Sequence, residues 1–334
     1  MKKLILTLLL ITSICFAEFD ARKEIIKFME GNPGLEKYLT APVTVMHTDT
    51  GCLSIKDEGI FAFQHELLSA EVSADPNVAV DENVKIPAKA DKLVVVVHGW
   101  MDKGQNSWPS EMAAAIAHRV DPNEWVCGSY DWKGGSVVFI SVQAAEYARD
   151  IAGPRLAKAI LALGTDFKHV HLIGHSAGSW AINGTAKTIA AARSETQFHL
   201  TFLDAYVPER WDPDVLGRIF DDAKKQKSQV WAEQYYTKDI TWKLTEHDLK
   251  YAHNVDISAI DPLFSEHEFP YRWYAATATG TYSRWDEKKE PIYTHSGEID
   301  YGFARSLESG EKNWKKSRKL KLNNPAIRIK KKDK

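Results

Sequence analysis

Residues 169–178 read HVHLIGHSAG, and this stretch decides how the rest of the chain is interpreted. The run 169–173, in which histidine and apolar residues mix, predicts a buried strand. The pentapeptide 174–178 has the spacing G-x-S-x-G, in which a tight strand-to-helix turn presents a serine hydroxyl at the edge of a sheet. Side chains at Gly174 or Gly178 would collide with neighbouring backbone, so both positions require glycine. The pattern predicts that Ser176 is a nucleophile.

Strand and helix patterns alternate on both sides of this motif. Apolar runs predict strands at 92–97, 125–130, 198–203 and 230–236, and Ala-rich runs predict helices at 110–119, 142–163 and 177–193. Continuous apolar strands that alternate with helices form parallel sheets covered on both faces. Together with the G-x-S-x-G turn, this pattern predicts the α/β-hydrolase fold, with a mostly parallel central sheet and helices on both faces. We expect the helix 142–163 to bend at Gly153 and Pro154.

The residues HGW at 98–100 follow the first long parallel strand. A loop at this position, two strand-helix steps before the nucleophile turn, is suited to forming an oxyanion hole. The backbone N–H groups of Trp100 and Ala177 would then stabilise the oxygen that becomes negative when a carbonyl is attacked. His98, Gly99 and His175 are assigned supporting roles. The alternative is that the glycine only makes a turn.

Four segments together resemble a known family. They are HGW at 98–100, DW at 131–132, GHSAG at 174–178 and FLDAYVP at 202–208. The chain resembles the secreted lipases typified by pancreatic lipase and their bacterial lipase-like relatives. The resemblance implies an α/β-hydrolase that cleaves esters, and it places the acid of the catalytic triad at Asp204. Ala205 stands where those lipases carry proline.

The position of Asp204 supports the same assignment independently. An aspartate at the carboxyl edge of the strand beside the nucleophile strand can reach a histidine and fix its tautomer. Asp239 is the alternative acid, because it follows the strand 230–236 and occupies the acid position of many other α/β-hydrolases. Both assignments remain open from the residues alone.

The catalytic base should follow the acid in the chain, as the triad order of this fold requires. His267 lies in EHEFPYRWY, residues 266–274, ahead of a predicted helix. This segment is similar to the catalytic histidine loop of the lipases, which implies that His267 is the base. His295, in YTHSG at 293–297, is the alternative base.

The chain begins like an exported protein. Lys2 and Lys3 precede an apolar run at 4–16 and a small residue, Ala17, where a signal peptidase could cut. The sequence predicts a signal peptide at 1–17, a catalytic domain at 18–311 and a secreted or periplasmic location. The alternatives are a membrane anchor, for which the apolar run is short, and a lipid anchor at Cys15.

The segment 312–334 carries eleven Lys and Arg residues and a single acidic residue, Asp333, in a chain with a net charge of −2. We interpret it as a basic, flexible tail, with transient contact with an anionic lipid surface as the alternative. It lacks the interleaved aromatics of a nucleic-acid platform, so we expect no nucleic-acid partner. Once Cys15 is removed, Cys52 and Cys127 either form a disulfide or remain buried thiols.

No cofactor or metal is predicted, because the sequence contains no H-E-x-x-H, Walker or Rossmann motif. The predicted reaction needs only the triad and an acyl-enzyme. The leading function is a lipase or carboxylesterase, including a phospholipase, that acts on an ester or lipid substrate. The alternatives are a peptidase or amidase with the same triad, and a non-catalytic lipid-binding protein on a lipase scaffold. An amphipathic helix at 210–225 is a candidate lid over an acyl-binding groove.

Overall fold

A computed structural model describes nine stretches of the chain: residues 42–57, 76–101, 108–137, 140–238, 243–260, 266–284, 288–291, 295–296 and 299–310. The predicted signal peptide at 1–17, Asp239 and the basic tail at 312–334 lie outside these stretches. Within them, no helix combines the length and apolar character that crossing a membrane requires.

The centre of the molecule is a nine-stranded sheet. Its strands are β1 (Val43–His47), β2 (Leu53–Asp57), β3 (Val78–Val80), β4 (Lys92–Val97), β5 (Trp125–Asp131), β6 (His169–His175), β7 (Gln197–Leu203), β8 (Val230–Tyr236) and β9 (His253–Asp256). They lie in the order β3-β1-β2-β5-β4-β6-β7-β8-β9. Only the β1–β2 pair is antiparallel within this described sheet. The predicted parallel strands are present, with bounds that differ by at most two residues.

Helices and short strands complete the described chain. The helices are α1 (Trp108–Ala117), α2 (Lys133–Ser136), α3 (Ser141–Tyr147), α4 (Gly153–Ala162), α5 (Gly178–Ala192), α6 (Ala223–Gln229) and α7 (Phe269–Thr279). After α7 come two short hairpins, β10 (Thr281–Arg284) with β11 (Lys288–Pro291) and β12 (His295–Ser296) with β13 (Ile299–Asp300). Two 3-10 turns, Gly302–Arg305 and Leu307–Ser309, end the described chain.

Strand β4 shows how the sheet is buried on both faces. Leu93, Val95 and Val97 point into one apolar cluster, which contains the buried faces of α3, α4 and α5. Val94 and Val96 point into a second cluster, which contains those of α1 and α7. A strand covered on both sides must be apolar at every position, which explains the VVVV run. The α/β-hydrolase fold predicted from the alternation of strands and helices is confirmed.

The predicted helix at 142–163 is interrupted where the bend was expected. A π-helical turn, Ala148–Ala152, separates α3 from α4, and Pro154 follows it at the start of α4. Proline has no backbone N–H to donate to the preceding turn, and a π-turn absorbs the mismatch. The position of the bend was predictable from Pro154, whereas its π geometry was not.

The expected amphipathic helix at 210–225 is not formed. A 3-10 turn, Pro213–Val215, and the separate helix α6 occur there instead. The side chain of Asp212 accepts a hydrogen bond from the Asp214 N–H and so caps the 3-10 turn. The side chain of Asp222 accepts one from the Lys225 N–H and caps α6 in the same way. Trp211 packs edge-on against Trp180 of α5, with ring centroids 4.5 Å apart, so this segment packs on the molecule's own helix layer.

Cys52 and Cys127 are both buried free thiols. Leu53 of β2 pairs with Gly128 of the neighbouring parallel strand β5. Cys52 and Cys127 each stand one residue before these partners, so the two cysteines occupy adjacent positions. Burial raises the pKa of the Cys127 thiol well above its usual value.

Candidate active site

Ser176 occupies a sharp turn between β6 and α5. Its φ of 53° lies in the left-handed region, which costs a non-glycine residue about 1–2 kcal/mol. The turn is held by two backbone hydrogen bonds, one from the Ser176 N–H to the Leu203 carbonyl and one from the Ser179 N–H to the Ser176 carbonyl, each 3.0 Å long. The strained conformation expected for the nucleophile position is therefore present.

Glycine is required around this turn because other backbone approaches closely. A Cβ on Gly178 would lie 2.3 Å from the His98 carbonyl oxygen, and one on Gly174 would lie 2.8 Å from the Gly178 carbonyl oxygen. A Cβ on Gly99 would lie 2.8 Å from the Ser176 Cβ. The HGW loop thus packs directly against the nucleophile turn, as the oxyanion-hole hypothesis needs.

Asp204 follows β7, next to the strand that carries Ser176. It also has a positive φ, 50°, and its side chain is fully buried. Its Oδ2 accepts a hydrogen bond of 2.7 Å from Nδ1 of His267, and its Oδ1 accepts one of 2.9 Å from the Thr237 N–H. Burial raises the pKa of the Asp204 carboxyl, and the hydrogen bonds from His267 and Thr237 oppose that rise. The carboxyl is therefore fixed in orientation by donors on both oxygens.

His267 lies in a 3-10 turn, Glu266–Glu268, immediately before α7. Its side chain is 34% exposed, which gives the ring a route to a substrate. The Nε2–H of His175 donates a 2.8 Å hydrogen bond to the His267 carbonyl, and the two rings lie 4.5 Å apart. Burial, with a smaller contribution from the neighbouring His267, lowers the pKa of His175 well below its usual value. A neutral His175 thus positions the His267 backbone.

Two aromatic residues that the sequence did not single out enclose His175. Trp108 of α1 stacks on Tyr271 of α7 with ring centroids 4.3 Å apart. Both present an edge contact to His175, with centroids 5.9 Å from Trp108 and 4.9 Å from Tyr271. Tyr271 stands four residues after His267, in the aromatic-rich segment that the sequence placed after the histidine.

His98 orders the HGW loop. Its Nδ1–H donates to the Gly99 carbonyl at 3.0 Å, and its Nε2 accepts from the Trp132 N–H at 3.1 Å. The Trp132 indole N–H returns a 2.8 Å bond to the His98 carbonyl, and the rings are stacked. These contacts connect the HGW and DW segments, and the supporting role of His98 stays a prediction.

Both residues of the predicted oxyanion hole adjoin a residue that forms or contacts the Ser176 turn. Ala177 follows it directly and is the residue before the first turn of α5. Trp100 follows Gly99, whose backbone touches the Ser176 turn. The next residue, Met101, has a φ of 58°, and its N–H donates to the Ser136 carbonyl at 2.9 Å.

The structure brings Asp204 to His267 and places both beside Ser176. In the described part of the chain, however, no hydrogen bond joins the Ser176 hydroxyl to His267. The alternative acid, Asp239, lies outside the described residues. The backbone of the alternative base, His295, is in β12 and pairs with Asp300. The side chain of His295 lies outside what the structure describes.

A family model named Lipase matches residues 71–205. The chain resembles the pancreatic-type lipases. It is 38% identical over 92 residues to pancreatic lipase-related protein 2 of Sus scrofa, an alignment that covers 26% of this chain and 18% of that protein. It is 33% identical over 121 residues to the inactive pancreatic lipase-related protein 1 of Homo sapiens, covering 35% of this chain and 23% of that protein. The predicted resemblance is confirmed.

These similarities are partial. The alignments span about a fifth of the length of these curated relatives, and the family match contains Ser176 and Asp204 but ends before His267. An esterase structure from Pyrobaculum calidifontis is 16% identical, with 57% of this chain and 76% of that chain covered and a TM-score of 0.30. The fold assignment therefore rests on the sheet order and the two helix layers.

Proposed function

We propose that this protein is a serine hydrolase that cleaves carboxylic esters, with lipids as its substrate class. The single observation that carries the proposal is the 2.7 Å hydrogen bond from His267 Nδ1 to the buried Asp204 carboxyl, beside a serine held at positive φ. The lipase resemblance of the surrounding segments supports the choice of esters over other acyl compounds.

In the proposed mechanism, Asp204 holds the His267 ring so that Nδ1 carries a proton and Nε2 is free to accept one. Nε2 takes the proton of the Ser176 hydroxyl while its oxygen attacks the ester carbonyl. Catalytic hydrogen bonds of this kind are often formed only when the substrate is bound. The Trp100 and Ala177 amides stabilise the tetrahedral oxyanion. His267 then protonates the departing alcohol, and water activated by the same ring releases the acid.

We further propose that the protein is exported, with residues 1–17 removed as a signal peptide. Mass spectrometry of the protein recovered from the producing cells should give an amino terminus just after Ala17. A mature protein that keeps Met1 to Ala17 would contradict export by this route.

The catalytic proposal is tested by hydrolysis of nitrophenyl esters of increasing acyl length, with the Ser176→Ala variant beside the wild type. We expect a fall in kcat of ~10⁴-fold or more in the variant, because no other group replaces the nucleophile. The Ser179→Ala variant, three residues further along the same turn, is the matched control and should retain activity. A fluorophosphonate probe should label the wild type and not Ser176→Ala.

The outcomes separate the remaining alternatives. Equal background rates in wild type and Ser176→Ala, with lipid still bound, would indicate the non-catalytic lipid-binding protein, which the name of the inactive human relative makes a specific alternative. Faster turnover of an anilide than of the matched ester would indicate a peptidase or amidase. Loss of activity with increasing acyl length would restrict the substrate to short esters.

A further inference from the structure

A second polar group lies at the other end of the strands that carry Ser176 and Asp204. His169 begins β6, His199 lies in β7, and Glu308 comes from the last 3-10 turn of the described chain. All three are buried, and one potential ligand atom from each lies within 4.8 Å of the others. We call these three residues the buried His–Glu cluster. His169 stands seven residues before Ser176, which corresponds to about 23 Å along a strand.

His199 has the hydrogen-bond arrangement of a metal ligand. Its Nε2 lies 3.1 Å from Oε1 of the buried Glu233, and its Nδ1 has no hydrogen-bond partner among the described residues. Because Nε2 faces a carboxylate oxygen, it is the nitrogen that carries the proton, and the unpartnered Nδ1 exposes a lone pair. A ligating histidine typically donates its other ring N–H to a carboxylate in this way, which fixes its tautomer.

The ring of His199 is also fixed in position. It is stacked between His171, at a centroid distance of 3.6 Å, and Trp231, at 4.0 Å. Such packing prevents the ring from turning its open nitrogen toward solvent. The open nitrogen therefore stays in the buried interior, where an unpartnered polar atom is costly.

Glu308 is arranged in a similar way. Its Oε1 accepts a hydrogen bond from Nδ1 of His171, while its Oε2 has no partner within the described part of the molecule. One carboxylate oxygen is thus oriented by His171 and the other is available.

We propose that His169, His199 and Glu308 bind a divalent zinc ion, with a water molecule as the fourth ligand. Two imidazole nitrogens and one carboxylate oxygen suit Zn²⁺, whereas Mg²⁺ and Ca²⁺ prefer ligand sets made of oxygen. Bonds of about 2.0–2.2 Å place tetrahedral ligand atoms roughly 3.4 Å apart, so shifts of about an ångström would close the site.

The charges around the cluster favour a cation. Arg305 is the nearby positive group, and its Nε lies 3.8 Å from Oε2 of Glu233. Glu233 therefore serves as the counter-charge of Arg305, which leaves Glu308 as the carboxylate ligand of the proposed site. Because Glu308 lies near the end of the described chain, the ion would fasten residues 302–310 to β6 and β7. Its role is structural and separate from the proposed ester cleavage.

The test is zinc binding by the full-length, tag-free protein. After incubation with Zn²⁺ and gel filtration, the wild type should retain one equivalent of zinc, and its Tm should rise when Zn²⁺ is added to chelator-treated protein. The variants His169→Gln and Glu308→Gln should bind Zn²⁺ more than ~100-fold more weakly, since each removes a direct ligand. Retention of zinc by both variants would overturn the proposal.

The matched control is His253→Gln, which replaces another buried histidine of the same sheet that lies outside the cluster. It should retain zinc as the wild type does, and loss of zinc in this control would contradict the assignment. If a ligand variant fails to fold, X-ray absorption of the zinc-loaded wild type decides the question. A first shell of nitrogen and oxygen with outer scattering from two imidazoles is expected, and scattering from one imidazole or none would overturn the proposal.

Discussion

Strands β6 and β7 carry polar residues at both ends, and the two ends differ in how they hold them. At the carboxyl ends, Ser176 and Asp204 both have positive φ values, and His267 is partly exposed. Near the amino ends, His169 and His199 lie in regular strand and are buried. The first region destabilises the folded state through strained backbone conformation, and the second does so through polar atoms removed from water. The two regions should therefore respond differently to substitution.

The largest effect is expected at the carboxyl ends. Asp204→Asn should lower kcat for a nitrophenyl ester by ~10⁴-fold, because an amide no longer selects the His267 tautomer with the proton on Nδ1. Asp131→Asn, at the end of strand β5, which β4 and β6 separate from β7, is the control and should change kcat little. Similar kcat values for Asp204→Asn and the wild type would remove Asp204 from the triad and return attention to Asp239.

The close packing around the nucleophile turn should be the next most sensitive feature. Gly178→Ala should lower the free energy of unfolding by ~3 kcal/mol and reduce activity, because the new Cβ would overlap the His98 carbonyl. Gly164→Ala provides a contrast. Its φ is 71° but no atom lies within 4 Å of the added Cβ, so only ~1–2 kcal/mol of backbone strain is expected. Urea unfolding of both variants measures the difference, and equal losses would show that contact at the turn is unimportant.

A buried histidine should make the free energy of unfolding depend on pH in the acidic range. Burial, with a smaller contribution from Arg305, lowers the pKa of His253 to about 4, below the ~6.5 of an unfolded chain. The unfolded state therefore binds a proton between these values while the folded state does not, and stability falls as pH drops from about 6.5 to 4, by up to ~3 kcal/mol. Below pH 4 both states are protonated and this loss is complete.

The variant His253→Gln should show a smaller fall in the free energy of unfolding between pH 7 and pH 4.5 than the wild type does. Urea unfolding at the two pH values measures this difference directly. An unchanged pH dependence would show that His253 is not held neutral by burial.

The smallest effect is expected from relief of strain at Ser176. Ser176→Gly should abolish ester hydrolysis yet raise the free energy of unfolding by ~1 kcal/mol, because glycine adopts positive φ without penalty. Ser179→Gly, within the first turn of α5, should lower stability by about the same amount. Destabilisation in both variants would mean that the positive φ at Ser176 carries no cost.

The sequence was sufficient where the chemistry is local. GHSAG predicted both the turn at Ser176 and the glycines around it, since the steric conflict involves residues close in the chain or in the adjoining strand. Apolar runs predicted β4 to β8 within two residues. The prediction of one helix at 210–225 was wrong. Asp212 and Asp222 cap two separate elements there, and this capping outweighed the apolar spacing. The positioning role of His175 was predicted only as general support.

What the sequence by itself determined is the order of strands and helices and the chemical type of the nucleophile turn, since periodicity and close steric contacts act over short stretches of chain. Only the tertiary structure decided which aspartate meets which histidine, and that His169, His199 and Glu308 converge. The carboxyl of Glu308 reaches the histidines because the turn Leu307–Ser309 packs against β6. No local pattern encodes a contact between groups so far apart in sequence, because packing of the whole chain sets their distance.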